Sequence, residues 1–209
     1  MLKLMLALVL GAALAVLPPP VARSADTSQK PYVVIDKSLA QLRADFNSNV
    51  GKVRLLYIVG PTCGICLRGL SDLQESLYSK KGNDPRLITY VVHVPTLGAR
   101  EVNVAPASRL ITNAYTTQYW EETGITGKLM EETLGLTHRY IWDFYAIYGP
   151  SAVWSSERPP VPDFYQHQLQ GLPPEKRLQT DDFAAKVSKF LAQSATGANP
   201  SANAAGKTE

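Results

Sequence analysis

At 209 residues and 45% apolar composition, the chain is long enough to bury one sizeable core and too short for a second full domain. Its formal charge of +3 is spread thinly, with no basic stripe and no segment that matches a nucleic-acid module, so nucleic acid is not an expected partner. The only two cysteines, Cys63 and Cys66, sit too close together to tie distant segments, which excludes a structural disulfide scaffold and leaves reactivity or metal binding.

Lys3, the apolar run Leu4 to Leu17, Pro18-Pro19-Pro20 and the small residues Ala22 and Ser24 read together as a secretory signal, placed at residues 1–24. The run is shorter than the about 20 apolar residues of a spanning helix, so no stable membrane span is expected after cleavage. The mature chain is expected in the periplasm or another exported space. Lys3 and Arg23 are the only charges before Asp26, so removal of residues 1–24 brings the formal charge to +1, which predicts no partner. Residues 25–37 form an N-terminal leader, residues 38–193 the folded domain, and the small, polar residues 194–209 a disordered tail.

Within the domain, Leu39, Leu42 and Phe46 recur at helical spacing behind Ser38, the expected N-cap. Val53 to Val59 is an apolar run of strand length, suited to a sheet buried on both faces. A helix then starts at the cysteines and runs to about Ser79, with Cys66, Leu70, Leu73 and Leu77 on one face. Leu87 to Val94 is a second buried-type strand, and the helical crossover makes it parallel to the first. An inserted, mainly helical segment over 107–136 follows: a short helix from Ala107 to Ala114, a short strand TTQYWE, and a helix from Gly124 to Leu136. Ile141 to Tyr148 and Ala152 to Trp154, separated by Gly149-Pro150-Ser151, predict a hairpin. Thr180 begins a last helix, with Phe183, Val187 and Phe190 facing inward.

A parallel strand hands its C-terminal end to the N-terminus of the next helix, where unpaired amides and the helix dipole favour an anion. Cys63 stands at that mouth, so its thiol is expected to ionise more readily than a free cysteine and to be the attacking group. Cys66, one turn on and facing the core, is placed to resolve a mixed disulfide on Cys63.

The C-G-I-C motif of Cys63-Gly64-Ile65-Cys66, after a core strand and opening a helix, resembles the thioredoxin-like superfamily, in particular exported TlpA-like and ResA-like thiol-disulfide proteins. YWEETG through LGL, WDFYAIYGP and PDFYQHQ are similar to an uncharacterised bacterial subgroup. The resemblance implies an α/β thioredoxin-like fold, a central mixed sheet flanked by helices with an inserted helical segment. It also implies an exported thiol-disulfide oxidoreductase, a reductant or electron relay for a partner thiol or disulfide protein. No cofactor is expected beyond a redox-active Cys63–Cys66 disulfide. The chain departs from the pattern in four places: Thr62 stands where an aromatic residue often precedes the first cysteine, Gly64-Ile65 stands where a proline is often found between the cysteines, the usual cis-proline position falls near Ile141 or Trp142, and Val53–Val59 offers no acid to take a proton from Cys66, Arg54 being its only charge.

His93 at the end of the second strand, Asp143 at the start of the hairpin, and Trp142 beside it are the auxiliary candidates, for tuning a thiol, moving a proton or lining a groove. His138 and His167 are read as structural or exposed, and Glu121-Glu122 and Glu131-Glu132 as solvated charges. An alternative use of the same two thiolates is as a binding site for a soft metal, Cu(I) or Hg(II), since Gly60 to Cys66 resembles the G-M-T-C-x-x-C loop of small heavy-metal-associated domains with Pro61 in place of the methionine.

Overall fold

The structure is a computed structural model and describes residues 30–136 and 140–196. In chain order it contains β1 (Val33–Ile35), α1 (Ala40–Ser48), β2 (Val53–Val59) and α2 (Gly64–Leu73). A π-helical turn, Gln74–Tyr78, joins α2 to α3 (Ser79–Lys81). Then come β3 (Leu87–His93), α4 (Val104–Ala107) between two 3-10 turns, β4 (Thr116–Glu121), α5 (Ile125–Thr133), β5 (Phe144–Tyr148), β6 (Phe164–His167) and α6 (Thr180–Thr196). The proposed signal, residues 1–24, lies outside the described residues, and among those described no helix is long and apolar enough to cross a membrane.

One six-stranded sheet runs in the order β1-β4-β3-β2-β5-β6. The first four strands are mutually parallel, while β5 is antiparallel to both β2 and β6. Every residue of β2 and β3 is buried, as expected for strands covered on both faces. Alternation then divides the core in two. Leu56, Ile58, Tyr90 and Val92 meet Leu42 and Phe46 of α1 and Met130 of α5 on one side. Leu55, Tyr57, Val59 and Val91 meet Cys66, Leu70 and Leu73 of α2 and Phe183 and Val187 of α6 on the other. This strand–helix–strand unit, followed by an antiparallel strand pair and a closing helix, is the thioredoxin-like α/β arrangement.

The structure corrects several expectations. The leader is not featureless: Val33–Ile35 forms an edge strand on β4, too short to leave a pattern. The last helix extends to Thr196, past the expected tail boundary at 194. Ser38 Oγ does accept the Ala40 N–H at 3.2 Å, but the residue next to the helix is Leu39, in the left-handed region at φ 53 and held there by full burial of its side chain. In the insertion, the first helix is displaced toward the N-terminus as α4, and β4 wedges between β1 and β3. Glu121 is no solvated charge: it is fully buried and its carboxylate takes the Thr123 and Thr126 amides at 2.6 and 3.1 Å, capping α5.

The expected hairpin partner is also wrong. Ala152 to Trp154 forms no strand, and β5 pairs with β6 instead. Arg54, fully buried on β2, turns the loop inward by donating to the carbonyls of Gly149 (2.6 Å), Pro150 (3.1 Å) and Ala152 (2.9 Å). Its guanidinium stacks 4.5 Å above the Phe46 ring. Trp154 then docks edge-on against Phe46, its amide and carbonyl both held at 2.9 Å by Asn47. The carbonyls gathered on Arg54 fold the segment into a turn rather than an extended strand, and Pro159, Pro160 and Pro162 keep the chain out of the sheet until Phe164.

Candidate functional site

β2 ends at Val59, and Gly60-Pro61-Thr62 turns the chain into α2. The Cys63 amide closes this turn on the Gly60 carbonyl at 3.0 Å. Gly60 is required by space: a Cβ there would lie 2.3 Å from Thr96 Cγ2, because the Thr96 segment after β3 packs directly on the cysteine loop. The Thr62 hydroxyl donates to the Thr96 carbonyl at 3.3 Å in the same contact.

Cys63 occupies the N-cap of α2 with extended backbone (φ −82, ψ 107), and its Sγ accepts the Cys66 N–H at 3.3 Å. That is the mouth position read from the spacing. Cys63 retains 6% exposure and Cys66 none. Both are free thiols, so the site is in its dithiol form.

The acid missing from β2 arrives from another element. Ile58 pairs with Phe144, so the residue before β5 sits where β2 ends, and that residue is Asp143. Its carboxylate and the sulfurs of Cys63 and Cys66 all lie within 4.8 Å of one another. Asp143 is 2% exposed and adopts φ 50, a left-handed conformation that costs an L-residue of order 1 kcal/mol or more. Its environment holds it there. The Asp143 carbonyl accepts the Gln168 amide at 3.0 Å, and Oδ1 accepts both the Tyr145 hydroxyl at 2.8 Å and Gln168 Nε2 at 3.0 Å. Gln168 Nε2 also reaches the Ile65 carbonyl at 3.2 Å, linking β6 to α2. Gly69 makes room: a Cβ would stand 2.5 Å from the Tyr145 hydroxyl and 2.6 Å from Gln168 Nε2.

Burial pushes the Cys66 thiol well above the ordinary thiol range, and the neighbouring Asp143 charge and the bond to Cys63 push it the same way. Burial also raises the Asp143 carboxyl, outweighing the bonds from Tyr145, Gln168 and Cys66 that stabilise its charged form. Thiol and carboxyl therefore compete for a proton in a buried site. Beyond them opens a cavity of ≈ 360 Å³ whose lining includes Cys63, Asp143, Gln168, Ile65, Leu97 and Trp142. Ile65 and Leu97 are exposed at the mouth.

The structure thus brings together Cys63, Cys66, Asp143 and Trp142, and leaves His93 out. His93 is fully buried, with Nε2 2.9 Å from Gln118 Oε1, and is not a member of the thiol–carboxylate group. His167 is structural, with Nδ1 accepting the Leu169 amide at 3.1 Å, and His138 lies outside the described residues. Tyr145 and Gln168 were not anticipated, although the two-residue spacing of Asp143 and Tyr145 along one strand face was a usable signal.

Burial holds the His93 imidazole down to about 4, against 6.5 when free. Between those values the unfolded chain binds the extra proton, so the stability held by neutral His93 is complete above pH 6.5 and drains away as pH falls toward 4. A His93→Gln variant is expected to lose about 3 kcal/mol less than wild type between those pH values in urea titrations. Parallel acid limbs for the two proteins would contradict this.

No protein-family model matches the sequence, and no curated protein matches it. Solved structures are similar at low identity. One is a secreted Mycobacterium tuberculosis disulfide oxidoreductase homologous to E. coli DsbE, 13% identical, with 68% of this chain and 84% of that one covered and a TM-score of 0.44. Another is an exposed lipoprotein thioredoxin from Streptococcus pneumoniae, 15% identical, with 68% and 87% covered and a TM-score of 0.41. The chain's own strand order, and the place of its two cysteines at the end of β2, carry the description of the fold as thioredoxin-like.

Proposed function

We propose that the chain is an exported thiol-disulfide exchange protein that acts as a reductant or electron relay toward a partner protein. The observation that carries this reading is a dithiol at a helix N-terminus with one sulfur at the edge of a cavity, the other behind it, and a buried carboxylate against both. In the first step Cys63, as thiolate, attacks one sulfur of a partner disulfide. A Cys63–partner bond forms, the partner's bond breaks, and its departing sulfur takes up a proton. In the second step Asp143 accepts the Cys66 proton, Cys66 attacks Cys63 Sγ, and the second partner thiol leaves protonated. The partner has gained two electrons and two protons, and Cys63–Cys66 is now a disulfide that an upstream thiol donor must reduce. Export is supported by the signal-like pattern of residues 1–24, and Trp142, Ile65 and Leu97 provide apolar surface around the attacking sulfur.

The test is a Cys66→Ser chain expressed in its own host. With the resolving thiol gone, Cys63 is expected to accumulate adducts to one or a few proteins, released by dithiothreitol and absent from a Cys63→Ser/Cys66→Ser control. Wild-type protein that does not accelerate dithiothreitol reduction of insulin disulfides, together with an empty trap, would remove the reading.

A further inference from the structure

The group formed by Cys63, Cys66 and Asp143 offers more than a proton route. Its three donor atoms, two sulfurs and a carboxylate oxygen, are mutually within 4.8 Å. Zinc bonds of about 2.3 Å to sulfur and about 2.0–2.2 Å to oxygen place the donors of one tetrahedral ion roughly 3.5–3.8 Å apart, so closing this set asks for side-chain adjustments of about 1 Å. We propose that the reduced site also binds a borderline divalent cation, Zn(II), through Cys63 Sγ, Cys66 Sγ and an Asp143 carboxylate oxygen.

Three features favour this. First, the carboxylate is oriented by neighbours in the way a ligand is: Tyr145 and Gln168 both donate to Oδ1, so neither occupies Oδ2. Second, the scaffold under the donors is tied, Cys63 through the Gly60 carbonyl and Asp143 through the Gln168 amide. Third, Cys63 and Asp143 both border the cavity, which gives a fourth coordination position access to water or an incoming ligand. The carboxylate also selects the ion. Cu(I) and Hg(II) are satisfied by two thiolates and gain little from oxygen, whereas zinc takes mixed sulfur and oxygen sets. Two thiolates and a carboxylate around a divalent ion leave one net negative charge, and Arg177 acts on Asp143 with the opposite sign.

Binding is a substitution without electron transfer: Zn²⁺ replaces the protons of the two thiols and two H⁺ are released. The bound ion and the Cys63–Cys66 disulfide each need both sulfurs, so they exclude one another. Zinc therefore holds the chain in the dithiol form and blocks attack by Cys63. This inference rests on the accessible dithiol of the proposed function.

The experiment titrates Zn(II) into the reduced, full-length protein without oxygen, in competition with a chromophoric chelator, and repeats the titration with Co(II) to read thiolate-to-metal charge transfer. One ion per chain is expected for the dithiol and none for the disulfide. Asp143→Asn, checked for folding by circular dichroism, is expected to weaken Zn(II) at least about tenfold while leaving Cu(I) affinity unchanged. Gln168→Leu, which leaves all three donor atoms in place and removes the bonds of Nε2 to Asp143 Oδ1, the Ile65 carbonyl and the Tyr145 hydroxyl, is expected to weaken Zn(II) by less. Equal Zn(II) affinity in wild type and Asp143→Asn, or equal binding by dithiol and disulfide, would overturn the proposal. Insulin reduction by the metal-free protein is measured on the same samples: exchange without zinc binding defeats this inference alone, and zinc binding without exchange defeats the proposed function alone.

Discussion

Replacing Cys63 by serine should reduce disulfide exchange by at least about 10³-fold, to the background of the reductant alone. A serine hydroxyl is almost wholly protonated at neutral pH and cannot form the sulfur–sulfur bond on which both steps depend. The effect should be asymmetric across the motif. Cys66→Ser keeps the first attack and loses turnover, because Cys66 is sealed in the core and acts only on Cys63 Sγ once that sulfur is bound to the partner. Stopped-flow measurement of a single mixed-disulfide formation separates the two variants: normal amplitude for Cys66→Ser, none for Cys63→Ser. If Cys66→Ser lost the first step and Cys63→Ser retained it, the roles assigned from the N-cap geometry would be reversed.

Arg54→Ala should be the most damaging single change to stability, by about 3–5 kcal/mol. The side chain is completely buried and no carboxylate bridges it, so its hydrogen-bond compensation comes from main-chain oxygens: Gly149, Pro150 and Ala152, and Phe46 at 3.4 Å. Burial pulls the guanidinium below the usual arginine range, the cost of holding a cation there. Truncation removes the side-chain donor of the Ala152 carbonyl, leaves the Gly149 and Pro150 carbonyls only their backbone donors, and opens a cavity above Phe46. Arg54→Met fills the cavity without restoring donors, so the difference between the two variants measures packing against lost hydrogen bonds. In a domain of this size the alanine variant should melt roughly 10 °C lower. Exchange per folded molecule should persist, since Arg54 lies at the opposite end of β2 from the cysteines. A loss below about 1 kcal/mol would show that the loop is held by Trp154 and Asn47 instead.

The same two residues show what the sequence reveals and what it conceals. The cysteine pair was legible because a strand, a turn and a helix follow one another without interruption, and local spacing then decides which sulfur faces out. Asp143 was visible only as a candidate. Its role depends on pairing between β2 and β5, and on a left-handed backbone that nothing in Trp142-Asp143-Phe144 announces. Arg54 was visible as an oddity in an apolar strand, but its partners lie nearly a hundred residues on, and without them Ala152 to Trp154 reads as the returning strand. Gln168 and Gly69 were silent, because both matter through contacts made only in the fold: the glycine leaves the space that the amide and the Tyr145 hydroxyl fill. β1 was missed for a simpler reason, since three residues carry no measurable period.

That short first strand has a consequence for how the chain is made. Val33 finds its place only beside Tyr119, about 86 positions later. At ribosomal speeds this separation lasts on the order of ten seconds, while β2 and β3, neighbours in both chain and sheet, are free to assemble first. The strand at the amino end is thus made first yet cannot be seated in the sheet before β4 has been made. An emerging polypeptide stays unpaired at that strand until β4 has left the ribosome and offers it an edge.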